Sequence, residues 1–312
     1  MPVAMPILSR RSFLLIGEET DAGTGVTPST AVLAYDAAVN PTTSVDDRVP
    51  GGFGGTVSGI PGASTASASF RAELRGGGGT GTGATPTPTW LRSLLLACGF
   101  AETVTNTFKP SSSLANHKFL TIWNWVDGVY YKANGCAGNV RITAEAGRQA
   151  FLEFDFQGVW LGMADVATVP TPASATPKPP RLVSAALALD SYAHKISRLQ
   201  IDMGNAVAMR EDVSAASGML HAYVGDRRPK LTMDPEATLV ATEDLVAMML
   251  AGSEVAFTAA IGSATNNTVT ITAPKVQVAS ATRGDRGGKL IHDLTCSLNA
   301  SSGDDELSIV FS

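Results

Sequence analysis

The stretch PTWLRSLLLACGFAETVT, residues 88–105, decides how the rest of the chain is read. Trp90, Leu91, Leu94, Leu95 and Cys98 recur at the spacing of one helical face. Thr89 offers an N-cap and Gly99 a stop. Around this stretch the pattern is different, with short alternating apolar and polar runs separated by Gly, Pro, Asn and Asp. A short amphipathic helix among strands packs its apolar face over a sheet. The expected fold is mainly β, with a short helix lidding a sheet.

Composition supports that reading. Of 312 residues, 44% are hydrophobic and only 16% charged, with 31 glycines. This suits a many-turned β protein better than a helical bundle or a disordered chain. The net charge of −5 provides no electrostatic footprint for wrapping nucleic acid. Cys98, Cys136 and Cys296 are odd in number, without CxxC spacing, and read as buried reduced thiols. His117, His194, His221 and His292 are dispersed, so neither a metal nor another cofactor is expected. The chain contains no nucleophile elbow and no HExxH. The GGGGTGTG run at 76–83 lacks the strand–turn–helix setting of a phosphate cradle and reads as a linker. Arg283-Gly284-Asp285 reads as a hairpin tip. No catalytic residues are assigned, and an enzyme is not expected.

Moving outward from the helix, residues 1–12 form an N-terminal arm. Ser9-Arg10-Arg11-Ser12-Phe13-Leu14 resembles a twin-arginine signal, but the apolar run ends at Gly17-Glu18-Glu19. It is judged not to be an export signal, and synthesis in the cytoplasm is expected. A first β domain covers 13–167 and contains a long Gly/Pro-rich loop at 40–64. The five-proline segment 168–180 is the linker. A second β domain covers 181–312, with a second helix capped by Thr242, carrying Leu245, Met248 and Met249 on one face and stopping at Gly252.

The second half repeats the plan of the first. A shift of 154 residues places Leu91, Leu94 and Leu95 on Leu245, Met248 and Met249. The same shift places Val140, Ile142 and Ala144 on Leu294, Cys296 and Leu298, and a shift of 155 places Leu152, Phe154 and Phe156 on Leu307, Ile309 and Phe311. A structural duplication is expected.

Two repeated β units without a catalytic motif describe a subunit that assembles. The segments LLIGEETDAGTGVTPS, AVLAYDAAVNP, STASASFRAELRGGG, PTWLRSLLLACGFAETVT and DGVYYKANGCAGNVRITAEAGRQAFLEFDFQGVW resemble the tail tube (major tail) proteins of long-tailed, siphovirus-type bacteriophages. The resemblance implies duplicated β-sandwich or barrel units, each with one short flanking helix, whose sheets join between subunits around a lumen, and rings that stack to form a channel for DNA during ejection. By position it makes Arg10 and Arg11 of the arm, with Asp46, Asp47, Arg48 and Phe53 of the long loop, the ring-stacking residues. An acidic lumen is implied, with Glu145, Glu153, Asp155, Asp304, Asp305 and Glu306 as its candidates from strand alternation. Two tube units per chain imply a trimeric ring with pseudo-sixfold symmetry. A hexamer results if the second half is a decoration. Implied partners are further copies of the chain, the tape measure, tail terminator and distal tail proteins, and DNA passing without specific binding. No membrane partner is implied, and the virion tail is the implied location. A second class of function is a tail-tip or adhesin-like carbohydrate-binding module using Trp123, Trp125, Tyr130 and Tyr131, although that spacing more often marks core or subunit interface.

Overall fold

A computed structural model describes residues 6–49, 51–52, 55–78, 85–183 and 185–312. Phe53 and the first five residues of the arm lie outside the described residues. The first half contains β1 (Ser12–Glu18), β2 (Thr30–Val32), β3 (Ala34–Arg48), β4 (Val57–Glu73) and helix α1 (Thr89–Ala97). It continues through β5 (Phe100–Val104), β6 (Thr107–Pro110), β7 (Leu120–Val126), β8 (Val129–Glu145) and β9 (Phe151–Asp165). The second half contains β10 (Ala186–Leu189), β11 (Arg198–Asp202), β12 (Asn205–Glu211), β13 (Met219–Arg227) and β14 (Lys230–Met233). After helix α2 (Leu245–Ala251) come β15 (Glu254–Ile261), β16 (Val269–Arg286), β17 (Lys289–Asn299) and β18 (Ser308–Phe311).

Strand pairing repeats between the halves. The antiparallel order β1-β7-β8-β9-β4-β3 recurs as β10-β15-β16-β17-β14-β11, with a helix after the fourth-strand hairpin in each half. This order corrects the strand register of the repeat. Leu152 pairs with Ala72 and Ile142, whereas Leu294 pairs with Met233 and Ala281. Thus β8 corresponds to β16 and β9 to β17, while β18 has no counterpart in the first half. Period-two alternation fits almost any even shift, so hydrophobic matching alone selected the wrong partner strands.

The two units share one sheet. β8 carries β7 on one edge as far as Cys136, and β11 takes over that edge from Arg141 to Glu145. At the other end β18 bridges β16 and β6. One contiguous core runs through both units, from Leu14 and Phe70 to Leu294 and Phe311. The linker lies against it, because the buried Arg75 guanidinium donates to the carbonyls of Ser174 at 2.5 Å and Pro177 at 2.9 Å.

Local chemistry accounts for these elements. On β9, Leu152, Phe154 and Phe156 are buried while Glu153, Asp155 and Gln157 face the other way. Phe70 stacks on Phe154 and Phe156 at 5.2 and 6.0 Å. Asp127 and Gly128, at φ 41° and 105°, close the β7–β8 turn. Gly287 and Gly288 do the same between β16 and β17, so Arg283-Gly284-Asp285 lies in β16 rather than at the tip. Helix α1 begins at Thr89 with Pro88 as its N-cap, one residue earlier than expected for the cap. Asp244 rather than Thr242 caps α2, accepting from the Ala247 N–H at 2.8 Å, and Gly252 ends it at φ 64°. Cys98, Cys136 and Cys296 are free and buried.

Within the expected loop 40–64, residues 40–48 and 57–64 are strand instead. They are the outer part of a β3–β4 hairpin that is paired from Ala34↔Ala72 out to Arg48↔Val57. Its Thr, Ser and Val residues sustain a ladder, and Pro41 is tolerated because β3 is an edge strand among the described residues. In the second unit the matching hairpin bends at Gly204 (φ 59°), so that β12 and β13 fold back over β8. Ala222 and Val224 pack there on Ala137.

Leu91, Leu94 and Leu95 are fully buried, with Trp90 packed beside them. Leu94→Asp leaves a carboxylate in this core and is expected to cost about 4 kcal/mol or more. Expression of the variant as soluble, cooperatively melting protein would place α1 elsewhere.

Candidate functional surfaces

Alternation along seven adjacent strands creates one polar face opposite the core. Arg71, Glu153, Arg141 and Asp202 lie side by side across β4, β9, β8 and β11. The row continues through Lys230, Ser297 and Gln277 on β14, β17 and β16. The face crosses the boundary between the units without a break.

Glu145, Glu153 and Asp155 all belong to this face. Most of its charge is internally paired. Arg141 reaches Asp202 at 2.9 Å and Glu153 at 3.4 Å, Arg198 reaches Asp293 at 2.6 Å, and Arg148 reaches Glu145 at 2.7 Å. Burial pushes the Asp202 carboxyl up, but hydrogen bonds from Asn139, the Gly204 N–H and Arg141 outweigh it and hold it below the usual range. Asp155 makes no ion pair among the described residues and stands opposite Ser69 and Asn139.

Asp304, Asp305 and Glu306 sit apart, in the turn between β17 and β18. Arg227 pairs with Asp304 at 2.6 Å and Glu306 at 3.0 Å. Asp305 accepts from the Ser301 N–H at 2.8 Å. These contacts tie the turn to the end of β13, an arrangement that alternation in the sequence did not signal.

Of the stacking residues, Asp46 and Arg48 pair along the exposed end of the hairpin, with Asp47 at a bulge between them. Val45, Val49 and Ile60 add exposed apolar side chains to the same projection. Arg10 is exposed in the arm. Arg11 turns inward to Asp127 at 2.8 Å and lies over the Trp125 ring at 5.3 Å. The Leu8 N–H and then Arg11 hold the Asp127 carboxyl below its ordinary range. Trp125 is buried beside Phe13, and Tyr131 packs on the core. Trp123, Tyr130 and Lys132 form a smaller partly exposed group, with the Lys132 amine 4.5 Å from the Trp123 ring.

The histidines are dispersed in space as well. His117 bonds the Ser111 carbonyl, His221 stacks edge-on to Phe119, and His194 bonds Glu243 at 3.1 Å. Among the described residues no cluster of His, Cys, Asp or Glu could hold a metal ion, and no helix is long and apolar enough to cross a membrane.

The architecture is thus a duplicated β unit with a continuous polar face and a projecting hairpin. A family model described as phage tail tube protein matches residues 9–301, nearly the whole chain. The chain belongs to that family. No curated protein matches it. As a member of the tail tube family it is a structural component of the virion tail that assembles with copies of itself and with other tail proteins.

Two buried polar sites generate stability predictions. Asp234 accepts from the N–H groups of Ser197 and Arg198, each at 2.8 Å, from the Ser197 hydroxyl, and from Arg286 at 2.8 Å. It ties the start of β11 to β14 and β16. Asp234→Ala strands these donors and is expected to cost about 3 kcal/mol in chemical denaturation.

Burial lowers His194 to about 4 and, with Asp190 nearby, raises Glu243 to about 7. Between pH 4.5 and 7 the folded chain keeps a Glu243 proton that the unfolded chain has lost, so this group lowers stability as pH rises. His194 acts in the opposite direction between about pH 4 and 6.5. Glu243→Gln removes only the first effect. Melting curves should show the variant more stable than the parent by about 2 kcal/mol at pH 8 and nearly equal at pH 4.5.

Proposed function

We propose that three chains close into a ring of six β units, and that such rings stack into the tube through which genomic DNA leaves the capsid. The observation that carries this reading is the strand order repeated in both halves, joined by the β8–β11 pairing into one sheet. A chain that already contains two joined units needs half as many copies to close a given ring. The polar face fits the role of channel wall, because it is broad and its charges are mostly paired, with Asp155 as its unpaired acid. Such a wall gives DNA phosphates few cations to bind. The acids of the β17–β18 turn are proposed as a brace at the margin of this wall.

Stacking is assigned to the β3–β4 hairpin and the arm. The hairpin has exposed residues on both faces beyond Asn40, and it lacks the fold-back that occupies its counterpart β12–β13. Asp46, Asp47 and Arg48 are the proposed contacts at its end, with Arg10 of the arm; Phe53, outside the described residues, is proposed by its sequence position alone. Arg11 serves instead to fix the base of the arm on Asp127.

The purified full chain is expected to form tubes by negative-stain microscopy. Replacing residues 43–62 with a two-residue turn should leave a folded protein that forms rings but not tubes. Tubes of normal length from this variant would remove the hairpin from stacking, and a parent chain that stays monomeric at high concentration would contradict tube assembly.

A further inference from the structure

The β8–β11 seam has an unfilled counterpart at each end of the chain. Within the first unit, β9 fills one edge of β8 while β7 and then β11 fill the other. In the second unit β16 stands where β8 stands. β17 fills one of its edges through Arg286, and β15 fills the other only as far as Gln277. Beyond Gln277 that second edge has no backbone partner among the described residues. At the opposite end, β3 corresponds to β11. β11 is sandwiched between β14 and β8, whereas among the described residues β3 pairs only with β4. Near its outer edge the Asn124 side-chain amide donates to the Ala37 carbonyl at 3.2 Å.

Resting on the tube reading above, we propose that the outer edge of β3 in one chain adds antiparallel to the bare edge of β16 in a second copy. This contact reproduces between chains the seam that β8 and β11 make within one. The occupant is a copy of this chain because the internal seam already shows the two strand types paired, and each chain carries one unfilled member of either type. Unpaired edges of this length are aggregation sites unless they are paired or covered. The contact is heterologous, one donor and one acceptor per chain, which closes a ring when the rotation between units divides a full turn.

The repeat sets the register. Ile142 and Ala281 are equivalent because both oppose the β9-type residue that pairs with Ala72 or Met233. Ala34 and Leu199 are equivalent because they oppose Ala72 and Met233. In the internal seam Leu199 pairs with Ala144 and Gln200 with Thr143. The intermolecular seam therefore sets Ala34 against Arg283 and Tyr35 against Thr282. Ser280, Thr282 and Arg283 are exposed and Ala281 and Gly284 partly so, and apart from Arg283 the side chains here are small.

The helices show the same incompleteness. Asn205 of the second unit donates to the Cys98 carbonyl at 2.7 Å and completes the end of α1. α2 receives no such contact from another unit among the described residues and leaves Leu250 78% exposed.

The test is cysteine cross-linking in assembled full-length protein. Two double variants, Ala34→Cys with Arg283→Cys and Tyr35→Cys with Thr282→Cys, cover both faces of the strand pair. The control pair is Tyr35→Cys with Leu290→Cys, which places the second cysteine on β17 and off the seam, and microscopy confirms assembly of each. Mild oxidation should convert monomer into chain-linked oligomers in at least one of the first two variants, but not in the control. Assembled rings that stay monomeric on a non-reducing gel in both variants, or that cross-link only in the control, would overturn the edge proposal while leaving the tube reading intact. Failure of the parent chain to assemble at all would overturn both.

Discussion

The structure depends on five residue pairs of antiparallel ladder, Arg198↔Glu145 to Asp202↔Arg141. Without them the chain would hold two small sheets with four exposed edges. With them the core merges into one, and the polar faces of the two units align. The ion pair of Arg141 with Asp202 marks the end of this ladder, and Asn139 and the Gly204 N–H share the same carboxylate. The bend at Gly204 begins there, so the residues that fasten the units together also direct β12–β13 back over the first unit.

The repeated strand plan leaves the two hairpins free to differ. One copy, β12–β13, packs on Ala137 and spends its surface inside the chain. The other, β3–β4, has no such fold-back among the described residues and keeps Val45, Val49 and Ile60 exposed. A protein that must hold its own halves together and also bind other copies needs both arrangements, and two fused units allow each hairpin to adopt one. The additions unique to one half follow the same division. β5–β6 in the first half and β18 in the second meet each other, reinforcing the fusion.

Much of this architecture was legible from residue patterns. The helix at Trp90–Leu95, the alternation of Leu152, Phe154 and Phe156, and the Asp127-Gly128 turn each carry a local signal strong enough to stand alone. The long hairpin was not legible, because a ladder with both faces in solvent has no apolar alternation, and its Gly and Pro residues read as loop. The repeat was legible as a fact but not in register. The helices align at one shift, whereas the β5–β6 insertion after α1 changes the shift for every strand that follows. The acids at 145, 153 and 155 were grouped correctly on one face by period two. Asp304 to Glu306 were separated from them by a turn and by Arg227, a partner remote in sequence.

The central claim is that the two halves are equivalent members of one wall. The rotational symmetry of the assembled tube, determined by cryo-electron microscopy, tests it most directly. The account predicts threefold symmetry with six similar β units around each ring, alternate units being joined within a chain. A sixfold ring of six chains, with residues 181–312 standing outside the wall, would contradict it.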